Sequence, residues 1–143
     1  MTYKVKRRNY LISTDQRKFN LPMVCAEIKK QYWAKDLSVP VIKKSIKNSR
    51  AYGLYYNNIQ IGFAKVLSDN ARFAYLSDVF IVEEFRGKGL SIFLIKSILN
   101  DPHFKLVSRW MLATKDAHEL YKKVGFESLK RPKSYMQKLI KTE

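Results

Sequence analysis

The segment VFIVEEFRGKGLSIFLI, from Val79 to Ile95, sets Arg86-Gly87-Lys88-Gly89-Leu90-Ser91 between two apolar runs. The whole chain has 5 glycines, and Gly87 and Gly89 stand either side of one lysine. That pattern suits anion binding. The first amide groups of a helix lack intrahelical partners and sit at the positive end of its dipole, so a phosphate settles there if no side chain obstructs it. Gly87 and Gly89 remove the obstructing Cβ atoms, Arg86 and Lys88 add charge, and Ser91 adds a hydroxyl in the first turn. Two familiar phosphate loops are excluded. The pattern G-x-x-x-x-G-K-[ST] is absent, and Ile92 stands where a dinucleotide fingerprint needs its third glycine.

Asp78, in YLSDVFIV, is the second residue with chemical promise, an acid embedded in an apolar run. An unpaired carboxylate there is costly, so it implies a task or a partner. It could take a proton from an amine, directly or through water, hold a cationic substrate, or close a salt bridge. Cys25, the single cysteine, lies in MVCAEI and reads as a buried, inert helical position in a reducing compartment. His118 reads as solvent-facing, Asp116 as a helix N-cap, His103 as a loop residue and Trp110 as core. No Cys/His cluster has metal-ligand spacing, so no metal is expected.

These residues need a scaffold, and the hydrophobic periods supply one. NYLIST alternates weakly and predicts a first strand ended by Asp15. A helix follows Pro22, with Val24, Ile28, Tyr32 and Trp33 at helical spacing, and Ser38 N-caps a second one in which Val41, Ile42 and Ile46 share a face. From Ala51 the period becomes 2, and Asn57-Asn58 predicts a tight hairpin turn. Asp69-Asn70 predicts another turn into RFAYLSDVFIV, whose continuous apolar end argues for a central strand. GLSIFLIKSIL predicts a helix packed on a sheet and stopped by NDPHF. RWMLAT then predicts a strand, DAHELYKKV a helix closed by Gly125, and SYMQKLI a last strand. The order is β-α-α-β-β-β-α-β-α-β, a mixed α/β (α+β) sheet carrying helices.

With 143 residues the chain suits one domain, 1–143, burying roughly two-thirds of its unfolded surface. At 46% hydrophobic it is too apolar for disorder. The basic N-terminus lacks the apolar core of a signal peptide, and no run approaches the roughly 20 apolar residues that span a bilayer, so a cytoplasmic, non-membrane protein is expected. The 28 Lys+Arg against 12 Asp+Glu give +16. Such a charge draws nucleic acid, an anionic surface or a small polyphosphate ligand. The scatter of Lys29, Lys30, Lys43, Lys44, Lys47, Lys122, Lys123, Lys130 and Lys138 over several elements favours plain solvated faces.

RGKGLS resembles the R/Q-x-x-G-x-G/A loop of the GNAT superfamily of N-acetyltransferases at Arg86 and Gly89, with Ser91 in place of the last small residue. AHELYKKVGF, Ala117 to Phe126, is similar to that family's later A-x-x-L-Y-x-K-x-G-F helix at every specified position. The likeness covers about Ala51 to Phe126 and is closest to small, stand-alone bacterial members. It implies the acyl-CoA N-acyltransferase fold with helices on both faces of the sheet, and acetyl-CoA as donor. By that resemblance the pantetheine arm meets the backbone of Phe80, Ile81 and Val82, and the phosphates meet Arg86, Gly87, Lys88, Gly89, Leu90 and Ser91. Thr114, where the family often has Asn, and Ala117 complete the cofactor contacts, while Tyr32 and Trp33 border the acceptor together with Asp78.

Acetyl transfer to an amine needs a neutral amine, a donor to the oxyanion and a proton for the leaving thiolate. A tyrosine hydroxyl with pKa about 10 can protonate a thiolate whose acid has pKa about 8.5. The resemblance makes Tyr121 that acid and places the oxyanion donor at an interruption of strand pairing within Phe80 to Val82, while Asp78, by its setting in an apolar strand, is the candidate base. The expected function is direct transfer from acetyl-CoA to a primary amine of a small molecule or peptide in a ternary complex. A homodimer through the last strand is compatible with it. The rivals are a basic nucleic-acid-binding domain, disfavoured because no RRM, KH or helix-turn-helix pattern is present, and a CoA-binding member without turnover.

Overall fold

The computed structural model describes residues 1–31 and 34–141. Tyr32 and Trp33, expected at the acceptor, lie outside the described residues. The alternating segments form a sheet of six strands in sequence order: β1 (Lys4–Arg7), β2 (Tyr10–Ser13), β3 (Arg50–Tyr56), β4 (Ile59–Ser68), β5 (Phe73–Ile81) and β6 (Arg109–Met111). Neighbours are antiparallel except β5 and β6, which run parallel. The Asn57-Asn58 turn takes positive φ at both residues, 48° and 70°, as a two-residue hairpin loop requires.

Helices cover both faces, as expected. Strand alternation sends Tyr52, Leu54, Ala64 and Leu76 to one core with Leu90, Phe93, Leu94 and Ile98 of α3 (Leu90–Leu99). Ala51, Phe63 and Phe80 point the other way, onto α1 (Leu21–Lys29) and α2 (Val39–Lys47), which contribute Val24, Ile28, Ile42 and Ile46. Asn20 and Ser38 cap these two helices by accepting hydrogen bonds from the amides of Met23 and Val41. Cys25 is buried there. α4 (His118–Lys122) is a short helix after β6, closed at Gly125 with φ 99°.

Several expectations change. A strand precedes the predicted first one, because Arg8 turns with φ 56° and folds Lys4–Arg7 back onto β2. Its charged, exposed side chains hide the alternation in the sequence. SYMQKLI is not a strand: among the described residues β6 is the last member of the sheet, and Met136 is 96% exposed. The segment begins in a single turn, Pro132–Ser134, in which the Ser134 and Tyr135 amides donate to the carbonyls of Arg131 and Pro132. Val41 is 54% exposed, so only Ile42 and Ile46 face the core. Strand β5 is interior but second from the edge, and β6 is three residues long rather than the length of RWMLAT.

A buried polar network ties α3 to the sheet. Asp101, just past the helix, accepts from Tyr52 Oη at 2.6 Å and Arg50 Nε at 2.8 Å, both on β3, and from the His103 amide at 3.0 Å. Burial pushes the Asp101 pKa up, but these donors outweigh it and hold the carboxyl below the usual carboxylate range. Asp101→Ala is expected to lower unfolding free energy by about 3 kcal/mol in urea titration, because Arg50 and Tyr52 lose a shared charged partner. A depressed folded-state pKa stabilises above the unfolded value of about 3.9, and that contribution is lost as pH falls below it. The acid limb of the stability profile should therefore be shallower in Asp101→Asn than in the wild type.

Candidate active site

Strand β5 spans nine residues, but β6 pairs only with Phe73, Ala74 and Tyr75. Past Tyr75 the second half of β5 has β4 on one side and no parallel strand on the other. A cleft of about 1140 Å³ occupies that side, bounded by Leu76 to Ile81, by the segment Ala113 to Tyr121, and by Ile28, Leu37, Val41 and Ile42 of the α1–α2 region. Asp78, Phe80, Ile81, Arg86, Ser91, Thr114, Ala117 and Tyr121, separated in sequence by up to 43 positions (121 − 78), all line it.

The β4–β5 ladder slips inside this stretch. Phe63 pairs with Phe80 and Lys65 with Ser77, so Asp78 and Val79 together oppose Ala64. This is a β-bulge, and Asp78 sits in it with φ 55°, a left-handed conformation that most side chains avoid. The interruption of pairing thus falls at Asp78–Val79, ahead of the expected Phe80 to Val82. The bulge turns the carboxylate toward β4 and α2, where Asp78 Oδ2 lies 3.1 Å from Lys65 Nζ. Lys65 Nζ also donates to Ser45 Oγ of α2. The Lys65 and Asp78 side chains are 9% and 7% exposed, and Asp78 Oδ1 has no hydrogen-bond partner among the described residues.

Downstream, the Val82 amide donates to Ile61 O of β4 at 2.8 Å. Successive amides of a strand point to opposite sides, so the Ile81 amide faces away from β4, toward the cleft. The Ile81 carbonyl on that side accepts from Arg86 Nε at 2.9 Å, which fastens the loop to the strand end. Both backbone groups of Val82 are used within the protein, its carbonyl by the Phe85 amide. Gly87 and Gly89 adopt φ 78° and 75°, and a Cβ on either would point into open space. Gly89 is the N-cap of α3 and brings no side-chain cap, so the first-turn amides stay bare. This is a cradle fit for a phosphate group. The Leu90 side chain is buried in the core, so that residue can offer only its amide. Lys88 is exposed and its ammonium lies 5.9 Å from the Phe85 ring centre, while Arg86 and Ser91 reach the cleft.

On the facing wall the turn before α4 is held by Thr114, whose Oγ1 accepts from the Ala117 amide at 3.1 Å. Ala117, not Asp116, is the N-cap; Asp116 and His118 are exposed. Tyr121 is half-buried against Phe126, ring centres 5.9 Å apart, and burial raises its pKa. It keeps its proton at neutral pH. Sequence reasoning missed Lys65 and Ser45. The available signal was a lysine at the strand period of Phe63, on a face that is otherwise apolar, with an unexplained acid one strand away.

A split parallel pair beside a bare helix N-terminus, with a tyrosine opposite, is an arrangement suited to an acyl-CoA-dependent transferase. The model of the acetyltransferase (GNAT) domain matches residues 17–138, and the chain belongs to that family. Acetyl-CoA is accordingly its acyl donor and N-acetyl transfer its class of activity. A GNAT-family protein of Xanthomonas campestris pv. campestris superposes with TM-score 0.87 and 34% identity over 92% of this chain and 93% of its own. A Gibberella zeae protein named for acetyltransferase activity is 28% identical over 82% of this chain and 78% of its own. An Elizabethkingia anophelis family acetyltransferase, solved with acetyl-CoA bound, shares the fold at TM-score 0.67 and 19% identity, covering 85% of this chain and 78% of its own.

Gly89→Ala is expected to cost about 1 kcal/mol of stability, because an L side chain is strained at φ 75°. Its larger effect should be on acetyl-CoA, through the Cβ added to the cradle. Calorimetric titration is expected to show at least a 10-fold weaker Kd, about 1.4 kcal/mol, while a fully retained affinity would mean the phosphates sit elsewhere.

Proposed function

We propose that this cleft transfers an acetyl group from acetyl-CoA directly to a primary amine, with both substrates bound together. The observation that carries the reading is the convergence on one cleft of Asp78, Tyr121, the outward Ile81 amide and the bare α3 N-terminus. Acetyl-CoA supplies the activated acetyl thioester. The α3 amides with Gly87, Gly89 and Ser91 hold its phosphates, aided by Arg86 and Lys88. Phe80 and Ile81 flank its pantetheine arm, and Thr114 and Ala117 close the far side.

The chain's own groups then divide the remaining work. Asp78 Oδ1 receives the acceptor's ammonium and takes one proton, directly or through water. The freed nitrogen bonds to the acetyl carbon as the carbon–sulfur bond breaks, and the Ile81 amide faces the carbonyl oxygen as negative charge develops there. The Tyr121 hydroxyl gives its proton to the sulfur and regains one from the acylated nitrogen, so the net products are an amide, a thiol and one proton. Phe80 to Val82 keeps its expected place in this scheme through Ile81 alone, since Val82's amide is already bonded to Ile61. A single buried cysteine and a CoA-dependent reaction suit the cytoplasm.

Tyr121→Phe tests the assignment. It is expected to lower kcat about 100-fold in a thiol-release assay, in the range for loss of a general acid. The rise in Tm on adding acetyl-CoA should be unchanged. Turnover equal to wild type removes Tyr121 as the acid. Absence of both turnover and the acetyl-CoA shift in the wild type removes the transferase reading.

A further inference from the structure

Two buried polar atoms on the acceptor side of the cleft have no hydrogen-bond partner among the described residues: Asp78 Oδ1 and Ser77 Oγ. Folded proteins keep few such atoms, and each calls for an explanation. Both residues line the cleft at the bulge. A carboxylate oxygen only accepts, so what Asp78 lacks is a donor. Its other oxygen is already taken by Lys65, whose ammonium is in turn held by Ser45. The pair is thus electrically balanced, with one accepting site left open and a serine hydroxyl beside it in sequence.

The surroundings narrow what can fill that site. The wall on this side is mostly apolar, Ile28, Leu37, Val41 and Ile42 with the uncharged Gln31 and Ser45 between them, and Leu76 and Phe80 lie below. Lys65 places a fixed positive charge 3.1 Å from the carboxylate. The charged side chains of the cleft are Lys65, Arg86 and Lys115 against Asp78 and Asp116, and Asp116 is exposed on the turn before α4. Among the described residues no acid on this wall could receive a second ammonium, and a second cation there would be desolvated next to Lys65.

We infer that the acceptor is a primary amine bearing one positive charge on an apolar body, its nitrogen at Asp78 Oδ1 and Ser77 Oγ, and that Lys65 and the apolar wall exclude a second charge. This rests on the transferase reading and specifies its acceptor. Polyamines and aminoglycosides are thereby poor substrates.

Butylamine and 1,4-diaminobutane, equal in length and different in charge, make the test. With the full chain, acetyl-CoA and a thiol-release assay, kcat/KM for butylamine should exceed that for the diamine at least 10-fold, chiefly through KM. Lys65→Met strands Asp78 and threatens folding, so Val41→Asp carries the variant arm, because its side chain is half exposed and stands clear of the core. It should move the ratio at least 5-fold toward the diamine, with the acetyl-CoA Tm shift unchanged. A wild type that prefers the diamine or treats the two alike, or that acetylates some other class of acceptor but neither of these, overturns the inference while leaving the transferase intact. A Val41→Asp ratio equal to wild type overturns it as well. If no amine is acetylated and acetyl-CoA gives no Tm shift, the transferase reading falls and takes the inference with it.

Discussion

The cleft depends on an asymmetry in the pairing of β5. Along one edge the strand is held to β4 as far as Ile81; along the other, β6 reaches only Phe73 to Tyr75. A parallel strand that stops after three residues leaves backbone groups of β5 without a ladder, and a buried backbone donor without a partner is costly. Ligand contacts can meet that need. The Ile81 amide faces this side, and the carbonyl of the same residue is already occupied by Arg86. The opening, the loop anchor and the cofactor cradle thus share one strand end.

The bulge at Asp78–Val79 is the second constraint. It places a non-glycine residue at φ 55°, a conformation whose local cost is of order 1 kcal/mol or more and which persists only when its surroundings enforce it. Here the enforcement comes from a buried ion pair with Lys65, itself held by Ser45 of α2. A buried pair is weak evidence for stability, because desolvation offsets much of the attraction. Its value lies in fixing geometry: the pair locks the carboxylate between sheet and helix and leaves its other oxygen without a partner among the described residues. The side of the cleft around Asp78 is therefore built by α2, β4 and β5 together, while the other side is built by β5, the glycine loop and α3.

The +16 charge has a less specific meaning than either site. Lys43, Lys44 and Lys47 are exposed on α2, Lys122 and Lys123 at the end of α4, and Lys30 at the end of α1. The basic groups that concern the site are Arg86 and Lys115 at the cleft, Lys88 on the loop and Lys65 buried below. Surface charge of this kind raises the local concentration of a multiply anionic donor and disfavours polycations.

Local sequence was enough for whatever depends on neighbours in the chain. The periods of 2 and 3.6 marked β3 to β5 and α1 to α3, Asn57-Asn58 marked its turn, and the spacing of Gly87 and Gly89 marked a bare helix N-terminus. Motif likeness added Tyr121. Local rules failed where the deciding partner was distant or missing. SYMQKLI alternates like a strand but has no adjacent strand among the described residues, and KVKR, charged at three of its four residues, becomes β1 because β2 offers it an edge. Asp116 looked like a cap, yet the Thr114 hydroxyl already meets the turn's amide. Only the folded chain could reveal Lys65 opposite Asp78 or the register slip between them, since cross-strand pairing depends on bulges that no local pattern encodes. The bare amides at the α3 N-terminus were legible from contiguous residues because they are a local backbone feature. The pocket around Asp78 was not, because it is assembled from side chains that only tertiary packing brings within reach of one another.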